Sequence, residues 1–220
     1  YRGDPEADDE ELARHGIDRI YDTYILEEDL RETDAAIGAI ADGMEPGVYS
    51  SREFLEEVGR WLAGGGCRAE GSILEAAQRR GVPIFVPAFS DCSAGFGLAD
   101  HQRRNPGEHV SIDSVRDFRQ LADVMAGARR TGIVVLGGGV PQNFVQDAVL
   151  AVEGEPRMHS YAVKVTVQDE HDGSLSGSTF REARSWGKVG TEREQVVYAE
   201  ATLAVPLMAA YVWKGNREGR

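Results

Sequence analysis

The sequence has few lysines and few cysteines. Only three of its 24 basic residues are lysines, and the rest are arginines. Cys67 and Cys92 stand far apart without a CxxC pair, which argues against a disulfide framework or a zinc ribbon. The five histidines have no HExxH-like spacing, so no metal site is predicted. No nucleophile elbow is present, so a Ser-His-Asp hydrolase is not indicated.

The charge balance is strongly acidic, with 37 Asp and Glu residues and a formal net charge of −13. Such a field repels phosphate backbones, so nucleic acid is not expected as a partner, whereas a polyamine or a basic protein surface is compatible. No apolar run is long enough to span a membrane, and no signal peptide opens the chain. We therefore expect a cytoplasmic protein that forms one sizeable domain.

The hydrophobic pattern changes from helical to alternating helix and strand along the chain. Ser50 and Glu53 form a capping box ahead of a predicted helix over 52–63. Further helices are predicted over 72–80, 113–129, 140–152, 180–186 and 203–213. Strands are predicted over 82–89, 132–136, 161–167 and 196–198, of which the first two read as buried on both faces. This alternation predicts an α/β protein with a doubly wound parallel sheet and flanking helices.

Four loops follow the predicted strands, at the edge where open parallel sheets bind ligands. They cover residues 90–93, 137–139, 172–177 and 199–202. Small residues in two of them would let backbone N–H groups approach a phosphate, and Asp91 and Glu200 could bind ribose hydroxyls. The pattern favours a dinucleotide, although the triple glycine is not GxGxxG and each loop alone could be an ordinary turn.

The segment 185–188, Ser-Trp-Gly-Lys, contains a candidate nucleophile. Loss of hydration beside an indole would favour the neutral amine of Lys188, which can attack a carbonyl or iminium carbon. Glu182 and Trp186 are four residues apart on the predicted helix and could together bind a cation. The alternatives are a surface lysine and a solvated glutamate above a core tryptophan.

Several blocks resemble the deoxyhypusine synthase family in order and spacing, from about His15 onward. They are VPIFVPAFSD, TGIVVLGGGV, DGSLSG, EARSWGK and YAEATLAVPL. The resemblance implies a Rossmann-like domain in a homotetramer, with NAD and spermidine bound between subunits. It also implies that an active-site lysine carries the butylamine fragment of spermidine as an imine to an acceptor amine, a lysine of translation factor 5A.

The resemblance assigns roles to individual positions. The imine-forming lysine falls on Lys188, the tryptophan that faces the amine on Trp186, and the substrate carboxylate on Glu182. Positions that contact NAD fall on Asp91, Gly137, Gly138, Gly139, Asp172, Ser174, Ser176, Glu200 and Ala201.

The chain also departs from the family pattern. Phe96 and Leu175 stand where the family has substrate-binding aspartates, and Asn143, expected to line the pocket, stands where it has a histidine. The VPQNF and GSLSG forms look more like the deoxyhypusine synthase-like branch of bacteria and archaea, some members of which make homospermidine or use agmatine-type amines. The N-terminal portion of the family, with part of its NAD site, has no counterpart in these 220 residues.

The resulting hypothesis is the C-terminal part of a deoxyhypusine synthase-like, NAD-dependent aminobutyltransferase. Within that class, the acceptor could be a small diamine in place of a protein lysine. From other classes, the chain could be a non-catalytic scaffold subunit of a hetero-oligomer, or a dinucleotide-binding module without transfer chemistry.

Overall fold

The structure, a computed structural model, describes residues 1–67, 70–154 and 157–217. The chain forms two compact units, Tyr1–Ser114 and Val115–Arg220. No helix among the described residues is both long enough and apolar enough to cross a membrane.

The first unit is mostly helical, with two small two-stranded sheets. In chain order its elements are α1 (Asp9–Arg14), β1 (Ile17–Ile20), β2 (Thr23–Leu26), α2 (Glu27–Asp42), β3 (Gly47–Tyr49), α3 (Ser51–Ala63), α4 (Ile73–Arg80), α5 (Ser93–Arg104) and β4 (Val110–Ile112). Strands β1 and β2 form an antiparallel hairpin, while β3 and β4 pair in parallel. The hairpin, α2 and α5 were not predicted from the sequence.

Helix α3 confirms the predicted capping box. The Ser50 side chain accepts a hydrogen bond from the Glu53 backbone N–H, and the Glu53 carboxylate accepts one from the Ser50 N–H. These bonds satisfy donors that every helix start leaves free. The apolar face of α3 buries Phe54 completely, with its ring edge-on to Phe89 at 5.7 Å. Helix α4 likewise ends, as predicted, at Gly81 in a left-handed conformation.

His101 joins three elements of the first unit. It is 3% exposed, and its Nδ1 lies 2.6 Å from Asp42 Oδ1, which links α5 to α2. Its Nε2 accepts a hydrogen bond from the Val110 N–H of β4. Because Nε2 accepts, Nδ1 must donate to Asp42, so the imidazole is fixed in one neutral tautomer. This arrangement satisfies the ring without a ligand, so we assign it a structural role.

The strand predicted over 82–89 is wrong. These residues lie outside the sheets, and the segment ends in a short 3-10 turn, Phe89–Asp91. Pro83 and Pro87 supply no N–H for a strand ladder, and the Val86 N–H donates to the Ser51 hydroxyl at 2.8 Å. The hydrogen bond to the Ser51 side chain therefore holds this apolar segment in place without strand pairing.

The second unit carries a three-stranded parallel sheet. Its elements are α6 (Ser114–Gly127), which starts at the boundary, β5 (Gly132–Leu136), α7 (Val140–Ala148), β6 (His159–Thr166), α8 (Phe180–Ser185), β7 (Val189–Tyr198) and α9 (Ala201–Arg217). The strand order is β5-β6-β7, and both pairings are parallel. Parallel sheets with flanking helices confirm the predicted Rossmann-like α/β class.

Strand β5 differs from its prediction in burial. Ile133 and Val135 lie in a core cluster with Ala162, Phe180 and other apolar residues of this unit. The alternate side chains, Val134 and Leu136, are 64% and 51% exposed. The alternation shows that only one face of β5 is covered by this unit.

Candidate functional site

A sharp turn between α8 and β7 positions Lys188. Gly187 adopts φ +73°, a left-handed conformation that side chains disfavour. The Lys188 N–H then donates to Ala183 O of α8 at 3.0 Å, and Lys188 O accepts from the His159 N–H of β6 at 3.2 Å. The main chain of Lys188 therefore lies at the amino edge of the sheet. The sequence analysis placed Lys188 just beyond a loop at the carboxyl edge. Helix α8 lies between that loop and Lys188 and carries the chain back to the amino edge, which explains the difference.

The Lys188 ammonium lies against helix α7. Its side chain is 13% exposed, and Nζ is 2.5 Å from Asp147 Oδ1 and 3.2 Å from Asn143 Oδ1. The Asn143 amide also donates to Asp147 Oδ2 at 2.8 Å. The three side chains form a closed polar cluster, and Lys188 is not a surface lysine in bulk water. A carboxylate this close can hold the charge on Nζ or take its proton.

Asp147 is the member of this cluster that the sequence analysis missed. A signal was available, since Asp147 lies one helical turn after Asn143 within the predicted helix. Nothing in the sequence, however, paired that turn with residue 188.

Trp186 and Glu182 lie beside the cluster. Lys188 Nζ is 5.8 Å from the centroid of the Trp186 ring, within the range of a cation–π contact. Trp186 is 66% exposed, which corrects the alternative of a core tryptophan. Glu182 is exposed one turn earlier in α8, and its carboxylate has no hydrogen-bond or ion-pair partner among the described residues. An exposed indole and an uncommitted carboxylate leave a surface on which an external cation could bind.

The three glycines after β5 make a turn that only glycine adopts readily. Gly137, Gly138 and Gly139 have φ values of 76°, 148° and 76°. A Cβ on Gly138 would lie 2.8 Å from the Ser176 Cα and 2.6 Å from Gln142 Oε1, closer than packing allows. The structure thus brings the triple glycine against the loop that follows β6.

The loop over 172–178 is fastened from several sides. The Asp172 carboxylate accepts from the Asp169 N–H and so caps a 3-10 turn. The Thr166 hydroxyl donates to Ser176 O at 3.3 Å, and the Gln142 amide donates to the Ser178 hydroxyl at 3.0 Å. Both this loop and the triple glycine lie, as predicted, at the carboxyl edge of the parallel sheet.

The remaining predicted cofactor positions are Glu200, Ala201 and Asp91. Glu200 follows β7 at the same edge. Its carboxylate accepts from the Thr202 hydroxyl and from the Thr202 and Leu203 N–H groups at the start of α9, and these hydrogen bonds lower its pKa. Ala201 is the first residue of α9. Asp91 is exposed in the first unit and is the last residue of a 3-10 turn, so its loop does not end a strand.

The two positions that lack a family carboxylate are both solvent-accessible. Phe96 is 73% exposed and Leu175 is 42% exposed. No group of three or more His, Cys, Asp or Glu residues in the described ranges could hold a metal ion.

The deoxyhypusine synthase family model matches residues 1–212, and the chain belongs to that family.

The chain is 55% identical to a deoxyhypusine synthase-like protein of Chlorobaculum parvum over 225 residues, which cover 100% of this chain and 64% of that protein. It is 52% identical to a deoxyhypusine synthase-like protein of Coxiella burnetii, covering 96% of this chain and 60% of the relative. A probable deoxyhypusine synthase 2 of Methanosarcina mazei is 42% identical, with 95% and 61% covered. The chain therefore spans less than two thirds of the length of these relatives.

Proposed function

We propose that this chain belongs to an NAD-dependent transferase that moves the aminobutyl group of spermidine, or of a related amine, through an imine on Lys188 to an acceptor amine. The observation that carries the proposal is the shielded Lys188 ammonium, with Asp147 Oδ1 at 2.5 Å. A lysine acts as a nucleophile only after losing a proton, and this carboxylate is placed to receive it.

The residues around Lys188 support a defined sequence of steps. Asp147 takes a proton from Nζ, and the neutral amine attacks the oxidised carbon of the donor. A new C–N bond forms there, the donor's diamine leaves, and the fragment remains on Lys188 as an imine. Attack of the acceptor amine on the imine carbon then releases Lys188, and the proton on Asp147 can return to it.

Glu182 and Trp186 are proposed to bind the cationic donor. The carboxylate would pair with a terminal ammonium and the indole face would contact the neighbouring charge. Asn143 would orient Nζ through its 3.2 Å hydrogen bond. With Phe96 and Leu175 in place of two carboxylates, the site has less negative charge for a polycation than the family pattern implies.

The loops at the carboxyl edge fit a dinucleotide. Gly138 lies so close to Ser176 that no Cβ would fit at this position. The exposed backbone there and the hydroxyls of Ser174 and Ser176 could donate hydrogen bonds to phosphate and ribose groups. Asp91, Gly137, Gly139, Asp172, Glu200 and Ala201 complete the proposed NAD positions. When bound, NAD would supply the oxidation and the later reduction of the amine carbon.

The acceptor and the assembly are also part of the proposal. Translation factor 5A, as a protein lysine acceptor, is the first candidate, and a small diamine such as putrescine is the second. Exposed apolar residues of α9, Leu203, Leu207 and Tyr211, are spaced four apart and support burial in a homotetramer or hetero-oligomer.

Borohydride trapping tests the proposal. The full-length gene product is incubated with NAD and spermidine and reduced, and peptide masses are then measured. We expect an aminobutyl adduct on Lys188 in the wild type and none in Lys188→Arg, which keeps the charge but cannot form the imine. Lys214→Arg is the matched control and should be trapped normally.

The alternatives give different results in this experiment combined with a measurement of NAD binding. A non-catalytic scaffold subunit gives no adduct, either alone or with the acceptor. A simple dinucleotide-binding module binds NAD equally well with Lys188→Ala and turns over no amine. Translation factor 5A and putrescine are then added in separate reactions, and the mass of the product shows which of them accepts the aminobutyl group.

A further inference from the structure

A second lysine, Lys164, is buried beneath the loop over 172–178. It lies in the middle of β6, is 1% exposed and ranks among the largest fully buried side chains of the chain. Burial lowers the pKa of its ammonium, while the negative charge of Glu182 opposes that shift. A strand position this deep is normally apolar, so the cost of burying an amine there calls for a role.

The Lys164 ammonium binds the loop from below. Nζ donates to Ser178 O at 2.8 Å and, more weakly, to Leu175 O at 3.4 Å. Thr166, two residues along the same face of β6, donates to Ser176 O. The carbonyl groups of three loop residues are therefore turned toward the sheet.

The loop is left with unused backbone donors. Among the described residues, the backbone N–H groups of Ser174, Leu175 and Ser176 have no acceptor. Ser176 also lies against Gly138 at the triple-glycine turn. Free N–H groups beside a bare glycine turn, above a buried positive charge, favour an anion.

We propose that Lys164 is a positioning residue of the dinucleotide pocket. Its ammonium holds the carbonyls of residues 175 and 178 inward, so that the loop's N–H groups face the pyrophosphate of NAD, and its charge adds to their attraction. This inference rests on the proposed function, and it does not follow from the resemblance to the family.

Affinity for NAD in three variants of the full-length gene product tests the inference. Lys164→Met removes the charge and both hydrogen bonds, Lys164→Gln keeps a neutral donor, and Thr166→Val removes only the contact to Ser176. We expect the Kd for NAD, measured by calorimetry, to rise about tenfold or more in Lys164→Met and less in the other two. Lys214→Met, a change of an exposed lysine, should leave the Kd unchanged.

A selective effect separates positioning from a general loss of structure. In the trapping reaction, Lys164→Gln should raise the half-saturating concentration of NAD, whereas that of spermidine should not rise, because the Lys164 charge only competes with the donor for Glu182. If a folded Lys164 variant binds NAD within twofold of the wild type, the inference is overturned. The same holds if both half-saturating concentrations rise together. If the wild type itself fails to bind NAD, the proposed function is wrong. If the wild type binds NAD and the Lys164 variants bind it equally well, only the role of Lys164 is wrong.

Discussion

Lys188 and Asp147 face each other at 2.5 Å although 40 residues separate them in the sequence. The turn at Gly187 directs Lys188 back along α7, and the helix presents Asp147 one turn beyond Asn143. In the proposed imine chemistry, Asp147 is the group that accepts the proton of Lys188.

Replacing Asp147 with asparagine should slow formation of the Lys188 adduct by about 100-fold, the usual effect of removing a positioned acid or base. The amide keeps the size and a hydrogen bond but cannot take a proton. Quenched-flow borohydride trapping measures the rate, and Asp123→Asn, on the exposed side of α6, is the control. A rate within twofold of the wild type would show that Asp147 is not the proton acceptor.

Replacing Glu182 with glutamine should raise the half-saturating spermidine concentration about tenfold, because the ammonium of the donor loses its charged partner. The Kd for NAD should stay constant in the same protein. Glu170→Gln removes another exposed carboxylate, outside the proposed donor site, and should change neither value. Equal weakening of spermidine and NAD binding would instead indicate a distorted helix α8.

Replacing Gly187 with alanine should reduce the free energy of unfolding by about 1–2 kcal/mol, because a Cβ is strained at φ +73°. Urea unfolding followed by circular dichroism measures the change. Gly215→Ala, in the last turn of α9 where no atom lies within 4 Å of an added Cβ, should act oppositely and stabilise slightly. If both substitutions change the free energy of unfolding in the same direction, the left-handed conformation of Gly187 does not explain the effect of Gly187→Ala.

His159 should make stability depend on pH. The ring is 2% exposed, with Nδ1 3.0 Å from Thr131 Oγ1, and burial lowers its pKa below the ordinary 6.5. The unfolded chain then binds a proton at a pH where the folded protein does not, so the free energy of unfolding falls as pH drops below about 6.5. Urea midpoints between pH 7.5 and 5.5 should show this slope, and His159→Gln should flatten it. An unchanged slope in that variant would assign the titration to another group.

Local signals predicted most of the elements, and they failed where partners in space matter. The caps at Ser50 and Gly81 marked α3 and α4 correctly because a capping hydrogen bond lies within four residues of chain. The apolar run over 82–89 carried the same hydrophobicity as a buried strand, yet Pro83 and Pro87 prevent regular pairing. Strand β7 begins at Val189, seven residues before its predicted start, because its first half pairs with β6 without a continuous apolar pattern.

The sequence by itself determined the family, the α/β class and the identity of Lys188, Trp186 and the glycine turn as unusual positions. These depend on residue types at fixed spacing, which the linear chain already contains. Tertiary structure alone decided that Asp147 meets Lys188 and that Lys164 lies buried beneath the loop. The first contact joins elements distant in the chain, and the second forms because the loop after β6 folds back over its own strand. In both cases tertiary packing decides which side chains lose water and which find a partner.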